Sequence, residues 1–79
     1  MKTFHLTIAS LDKNVFDGFV TRVTAPGSEG EMTVLADHVP LISRLASGTI
    51  TCADEAGIHT FEVAHGVLEV TKNGTTILL

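Results

Sequence analysis

Apolar and polar residues alternate with a period of two along most of the chain, the mark of half-buried strands. Thr3 to Ala9 shows it first, with Phe4, Leu6 and Ile8 on one side and Thr3, His5 and Thr7 on the other. Asp12-Lys13-Asn14 reads as a turn, and Val15-Phe16 as a short extended piece that stops at Asp17-Gly18. Phe19 to Ala25 resumes as a strand with Phe19, Thr21, Val23 and Ala25 on one face. Leu41 to Leu45 is apolar and extended, and Thr49 to Ala53 is β-branched. Asp54-Glu55-Ala56-Gly57 reads as a hairpin loop leading into Ile58 to Ala64. Gly66 precedes Val67 to Thr71, and Asn73-Gly74, a favoured type I′ pair, is expected to fold Thr75 to Leu79 back against that run. Leu35 to Leu45 has helix-like apolar spacing in places, but Val39-Pro40 interrupts it. Short strands separated by turn signals predict an all-β fold, a flattened β-sandwich or barrel, with residues 1–79 as a single unit.

The strands are organised around Ala25 to Leu41, APGSEGEMTVLADHVPL. Pro26-Gly27 suits a type II turn, because proline presets one central φ and glycine tolerates the positive φ of the next. The acidic tip Ser28-Glu29-Gly30-Glu31 follows, then the short run Met32-Thr33-Val34-Leu35, then a second break over Ala36 to Pro40. A strand held between two polar turns presents a surface loop on a scaffold, where binding residues often sit.

Composition narrows the partners. A chain of 79 residues buries a thin core, about 60% of its unfolded surface at this size. A hydrophobic fraction of 44% and a mean hydropathy of +0.35 still favour folding over disorder. With neither Trp nor Tyr, Phe4, Phe16, Phe19 and Phe61 are expected to supply the aromatic bulk of that core. The net charge is -4, and the five basic residues are scattered, which argues against nucleic acid or anionic lipid as a partner. The single Cys52 cannot form an internal disulfide and fits a reduced cytoplasmic setting. Met1 to His5 lacks the long apolar run of a signal peptide, and no stretch approaches the ~18 apolar residues of a membrane span.

Candidate chemistry is sparse. His5, His38, His59 and His65 match no zinc spacing, although strand pairing could bring His59 near His65. Asp37-His38 looks like an acid–base pair, but adjacent side chains diverge in extended chain or turns. Ser28, Ser43 and Cys52 have no activating neighbour in sequence, so a small hydrolase using His38 or Cys52 has no supporting constellation. Gly27-x-x-Gly30 is too short for a phosphate loop, and its glutamates would repel a phosphate. No catalytic residue, metal ligand or cofactor site is nominated. A free-standing β-sandwich module for a carbohydrate or peptide is the alternative, although the aromatic face that such a module uses is missing.

Phe16-Asp17-Gly18, Pro26 to Glu31, Val34-Leu35 and His38-Val39-Pro40-Leu41, followed by Ser47-Gly48, Gly66 to Val70 and Thr76-Ile77-Leu78, together resemble the epsilon subunit of F-type ATP synthase. The resemblance runs in order over nearly the whole chain. It implies a β-sandwich of about ten short strands and a non-catalytic role: clamping the foot of the gamma subunit, the central rotor shaft, and resting on the membrane-embedded c-ring. That would put the chain on the cytoplasmic face of the cell membrane, touching the membrane only through the complex. Carried over by position, Ser28, Glu29, Gly30, Glu31 and Met32 would face the ring, with Glu31 the strongest contact. His38, Val39, Pro40, Leu41 and Ile42, adjoining that tip, would lie at the junction of shaft and ring. Ring loops in this family commonly carry a basic residue, which suits an acidic tip.

Thr33, Asp37 and His65 depart from the family pattern at positions where glycine is common. Asp tolerates left-handed backbone better than most residues, so the Asp37 turn is expected to survive. The 79 residues hold no counterpart of the C-terminal helical pair of most members, so neither inhibition through that arm nor ATP binding is expected of them.

Overall fold

Nine strands account for most of residues 2–79, the part of the chain that the computed structural model describes. They are β1 (Phe4–Ala9), β2 (Asn14–Val20), β3 (Arg22–Gly27), β4 (Gly30–Leu35), β5 (Leu41–Leu45), β6 (Gly48–Asp54), β7 (Gly57–Val63), β8 (Gly66–Thr71) and β9 (Gly74–Leu78). They form one sheet in the order β2-β1-β9-β8-β5-β3-β6-β7, with β4 attached to β3 off that path. Every pairing is antiparallel except β1 with β9. The sheet curls into the two layers of a β-sandwich, as the alternating pattern predicts.

One layer contributes Leu6, Ile8, Val20, Leu45, Leu68, Val70 and Ile77 to the core; the other contributes Val23, Ala25, Val34, Ile50, Cys52 and Val63. Phe16 on β2 closes the side where the sheet ends meet, its ring centroid 5.4 Å from His59 and 5.9 Å from Phe61 on β7. Each fully buried aliphatic side chain contributes roughly 1.5–3 kcal/mol.

Four local expectations change. Asp17-Gly18 does not break the chain, since β2 runs through it. Gly18 pairs with Leu6, and an added Cβ there would meet the Phe16 ring at 3.6 Å, an ordinary contact. Asp17 faces outward and meets His5 Nε2 at 2.6 Å across the strands. The break falls at Thr21, whose N–H donates to the Ala53 carbonyl at 2.8 Å as the chain crosses between layers.

That shift resets the alternation, which moves Phe19 off the face of Val23 and Ala25. Phe19 is 64% exposed and packs edge-on against His5 instead of filling the core. Phe4, Phe16 and Phe61 are only half-buried, so aliphatic residues make the core.

Pro26-Gly27 is not the turn either. Both residues belong to β3, Gly27 has no positive φ, and the turn is Ser28-Glu29 with Gly30 next, at φ 134°. Proline fits in the strand because its carbonyl is the group used, accepting from the Ala46 N–H at 2.8 Å. Likewise β8 and β9 pair as expected, but around Lys72-Asn73, with Gly74 next at φ 147°. In both hairpins the glycine follows a two-residue turn.

Leu68 is fully buried on β8, between β5 and β9. Leu68→Ala should destabilise the domain by about 2–5 kcal/mol, a large share of the stability of a small domain. A urea titration followed by circular dichroism would measure it, and a change under about 0.5 kcal/mol would contradict this core.

Candidate functional site

Successive strands run up and down, so the connections gather at two ends of the sheet. Ser10–Lys13, Ser28-Glu29, Ala46-Ser47 and Ala64-His65 lie at one end. Thr21, Ala36–Pro40, Glu55-Ala56 and Lys72-Asn73 lie at the other. The two candidate segments are therefore separated: Ser28-Glu29 and His38 sit at opposite ends of β4, about 17 Å apart at ~3.3 Å per residue. Adjacent in sequence, they do not adjoin in space.

At the first end Ser28, Glu29, Gly30 and Glu31 are exposed, while Met32 is half-buried against the core. The tip is tied down from behind, because the Ser28 N–H donates to the Arg44 carbonyl at 2.9 Å. A Cβ on Gly27 would lie 2.6 Å from the Gly30 carbonyl oxygen, so the two hairpin arms close only over a glycine. Among the described residues neither Glu29 nor Glu31 is in an ion pair. Both charges are free for a partner.

At the other end Asp37 takes φ 69°, as expected of an aspartate in a glycine's place. Lys2 Nζ donates to its Oδ2 at 2.6 Å, and that hydrogen bond and charge push the Lys2 ammonium up. The His38 N–H donates to the Leu35 carbonyl at 3.2 Å, and the His38 ring turns its Nδ1 to the Val39 carbonyl at 2.7 Å, away from Asp37. No acid–base pair forms. Val39, Pro40 and Ile42 face solvent, with Ile42 72% exposed, whereas Leu41 packs against the core.

Ile42 pairs with Glu69, diagonal to Val67, which in turn pairs with Leu78. Val67 and Leu78 are both exposed, so the three make an apolar strip on one outer face. Sequence reading missed it, because the strip appears only once the register of β5, β8 and β9 is known.

Cys52 is fully buried, and burial, helped by the charge of Asp54, pushes its thiol up while Arg22 acts the other way. That is the reverse of an activated thiolate. His59 stands opposite Cys52 in register, but its Nε2 meets Asp54 Oδ2 at 3.0 Å. Burial alone would raise the Asp54 carboxyl. Hydrogen bonds from His59 and from the N–H groups of Ala56 and Gly57 outweigh it and hold the carboxyl below its ordinary value. His65 sits exposed in the bend after β7, and the strands do not bring it to His59. Among the described residues no three His, Cys, Asp or Glu side chains gather as metal ligands.

Fold and surface together define a small all-β domain with an acidic tip at one end and exposed apolar residues on its outer faces. Residues 3–79 match the family described as "ATP synthase, Delta/Epsilon chain, beta-sandwich domain". The ATP synthase epsilon chain of Caulobacter vibrioides is 36% identical over 78 residues, 99% of this chain and 91% of that one. That of Bordetella avium is 40% identical over 80 residues, but this chain spans only 56% of its length. Among solved structures, a chain of the Euglena gracilis mitochondrial ATP synthase, in an assembly of OSCP, F1 and c-ring, superposes with a TM-score of 0.88 at 26% identity, covering 96% of this chain and 49% of that one. A chain of the Tetrahymena thermophila mitochondrial ATP synthase central stalk and c-ring shares the fold, with a TM-score of 0.78 at 19% identity over 98% of this chain and 63% of that one. The chain belongs to the ATP synthase delta/epsilon family, as a member of its β-sandwich type.

Because the folded-state pKa of Asp54 is depressed, the stability it contributes is present above the ordinary carboxylate value and lost as pH falls through the folded one. Asp54→Asn should therefore be less stable than the unaltered chain near about pH 7, and the gap should begin to narrow only below about pH 4, as pH falls toward the folded-state value. Urea midpoints across that range would show it. A gap that stays constant with pH would contradict the assignment.

Proposed function

We propose that this chain is a non-catalytic central-stalk subunit of a proton- or sodium-translocating F-type ATP synthase, coupling the gamma shaft to the c-ring during ATP synthesis. The observation that carries the reading is the family match across residues 3–79, with the chain from the Euglena ATP synthase assembly as a close structural counterpart. In this reading residues 1–79 act as one unit on the cytoplasmic face of the cell membrane, peripheral to it and held there by the complex.

The surface supports this role. Ser28 to Met32 form the ring-facing loop, where the unpaired Glu29 and Glu31 suit a basic ring. A single exposed ion pair contributes only ~0.2–1 kcal/mol. The tip thus orients the contact, and affinity comes from the wider interface. His38 to Ile42 lie at the far end of the sheet, on the shaft side. Val39 and Ile42 are open to contact, while Leu41 belongs to the core. A torque-bearing coupler needs a stiff body, and every strand here is paired into one curled sheet.

Gel filtration of this chain with the gamma subunit of its own organism should give a stable one-to-one complex. Glu31→Lys should keep that complex and weaken binding to the ring-bearing assembly by roughly two- to fivefold, the size of one exposed ion pair. Absence of any complex, with both proteins folded, would overturn the rotor reading in favour of a free-standing binding module.

A further inference from the structure

The end of the sheet opposite the acidic tip carries an open groove of about 620 Å³, within the ~300–1,000 Å³ of ordinary binding clefts. Lys2 to His5, the turn Ala36–Pro40 and the turn Lys72-Asn73 line it. Its charge is opposite to that of the chain, which has five basic and nine acidic residues. Lys2 and Lys72 line the groove against one carboxylate, that of Asp37, which is already bonded to Lys2 at 2.6 Å. Lys72 is exposed and in no ion pair among the described residues.

The apolar part of the groove is equally distinct. Phe19 is 64% exposed there, held edge-on by His5 at 5.3 Å between centroids, and Leu35 is exposed beside it. An exposed aromatic braced by its neighbour is the kind of residue that anchors an interface. His38 lines the wall with its Nδ1 already committed to the Val39 carbonyl.

We propose that this groove seats an acidic segment of the shaft subunit, with an apolar side chain against Phe19 and Leu35 and a carboxylate at Lys72. The proposal rests on the rotor reading and deepens it. A cationic groove rejects a basic ring loop, just as the acidic tip rejects an acidic shaft segment. One small domain thereby takes two partners in a fixed orientation.

The test is a titration of the unaltered chain, Lys72→Glu, Phe19→Ala and Lys13→Glu with the gamma subunit of the same organism, at low and raised salt. Lys13 lies in the turn at the tip end and serves as the control. Lys72 and Phe19 are exposed, so the variants should fold, and a circular dichroism melt of each checks that. Lys72→Gln provides a milder change at the same position. Lys72→Glu should raise Kd at least tenfold and flatten its salt dependence, Phe19→Ala should also weaken binding, and Lys13→Glu should stay within about twofold. Unchanged affinity for Lys72→Glu and Lys72→Gln would overturn the groove and leave the rotor reading standing. Failure of the unaltered chain to bind gamma would overturn both.

Discussion

The pairing of β3 holds the two layers together. Along one edge β3 pairs with β4 over its full length, and along the other it pairs with β6 at Arg22 to Thr24 and with β5 at Gly27. The sheet passes from one layer to the other at Gly27–Leu45, flanked by the bonds from Ser28 to Arg44 and from Ala46 to Pro26. Each such bond contributes only ~0.5–1.5 kcal/mol net. Their value is positional, because the seam sits directly behind the Ser28-Glu29 turn. The tip is thus tied to both layers at once, and Gly27, which no larger residue can replace without moving the Gly30 carbonyl, keeps the corner tight.

The distribution of polar groups follows from this frame. With strands running up and down, side chains at the connections divide between two ends, and the free acidic residues of the tip are kept from the lysines of the groove by the length of β4. The interior offers no counterpart to this surface division. Its one thiol is buried and held protonated, and the His59–Asp54 pair secures a hairpin beside Phe16. These groups serve the structure, and under the proposed role the outward faces make the contacts. A rotor coupling requires that arrangement more than it requires a pocket for chemistry.

The strands are legible because their signals are local: β1 follows from period two, β5 from its apolar extended run, and β9 from the turn signal that precedes it. The turns were misread where a glycine signal has two meanings. Gly27 permits a close approach of strands and Gly74 follows its turn, and the sequence presents both as turn centres. Phe19 was misplaced because an interruption at Thr21, with no Gly or Pro to mark it, changes the phase of everything before it. Glu29 and Glu31 were found as an exposed acidic pair because they are neighbours in sequence. The groove was not, since Lys2, Phe19, His38 and Lys72 come from four separate places and meet only through the register of the sheet.

The proposal that the two ends of the sheet face two different partners can be tested by cross-linking inside the assembled enzyme. The buried Cys52 gives a silent background, so single cysteines placed by Glu31→Cys and Val39→Cys would report their own surroundings in membranes carrying the complex. Residue 31 should cross-link to the ring subunit and residue 39 to the shaft. A cross-link from residue 39 to the ring, with none from residue 31, would contradict the account.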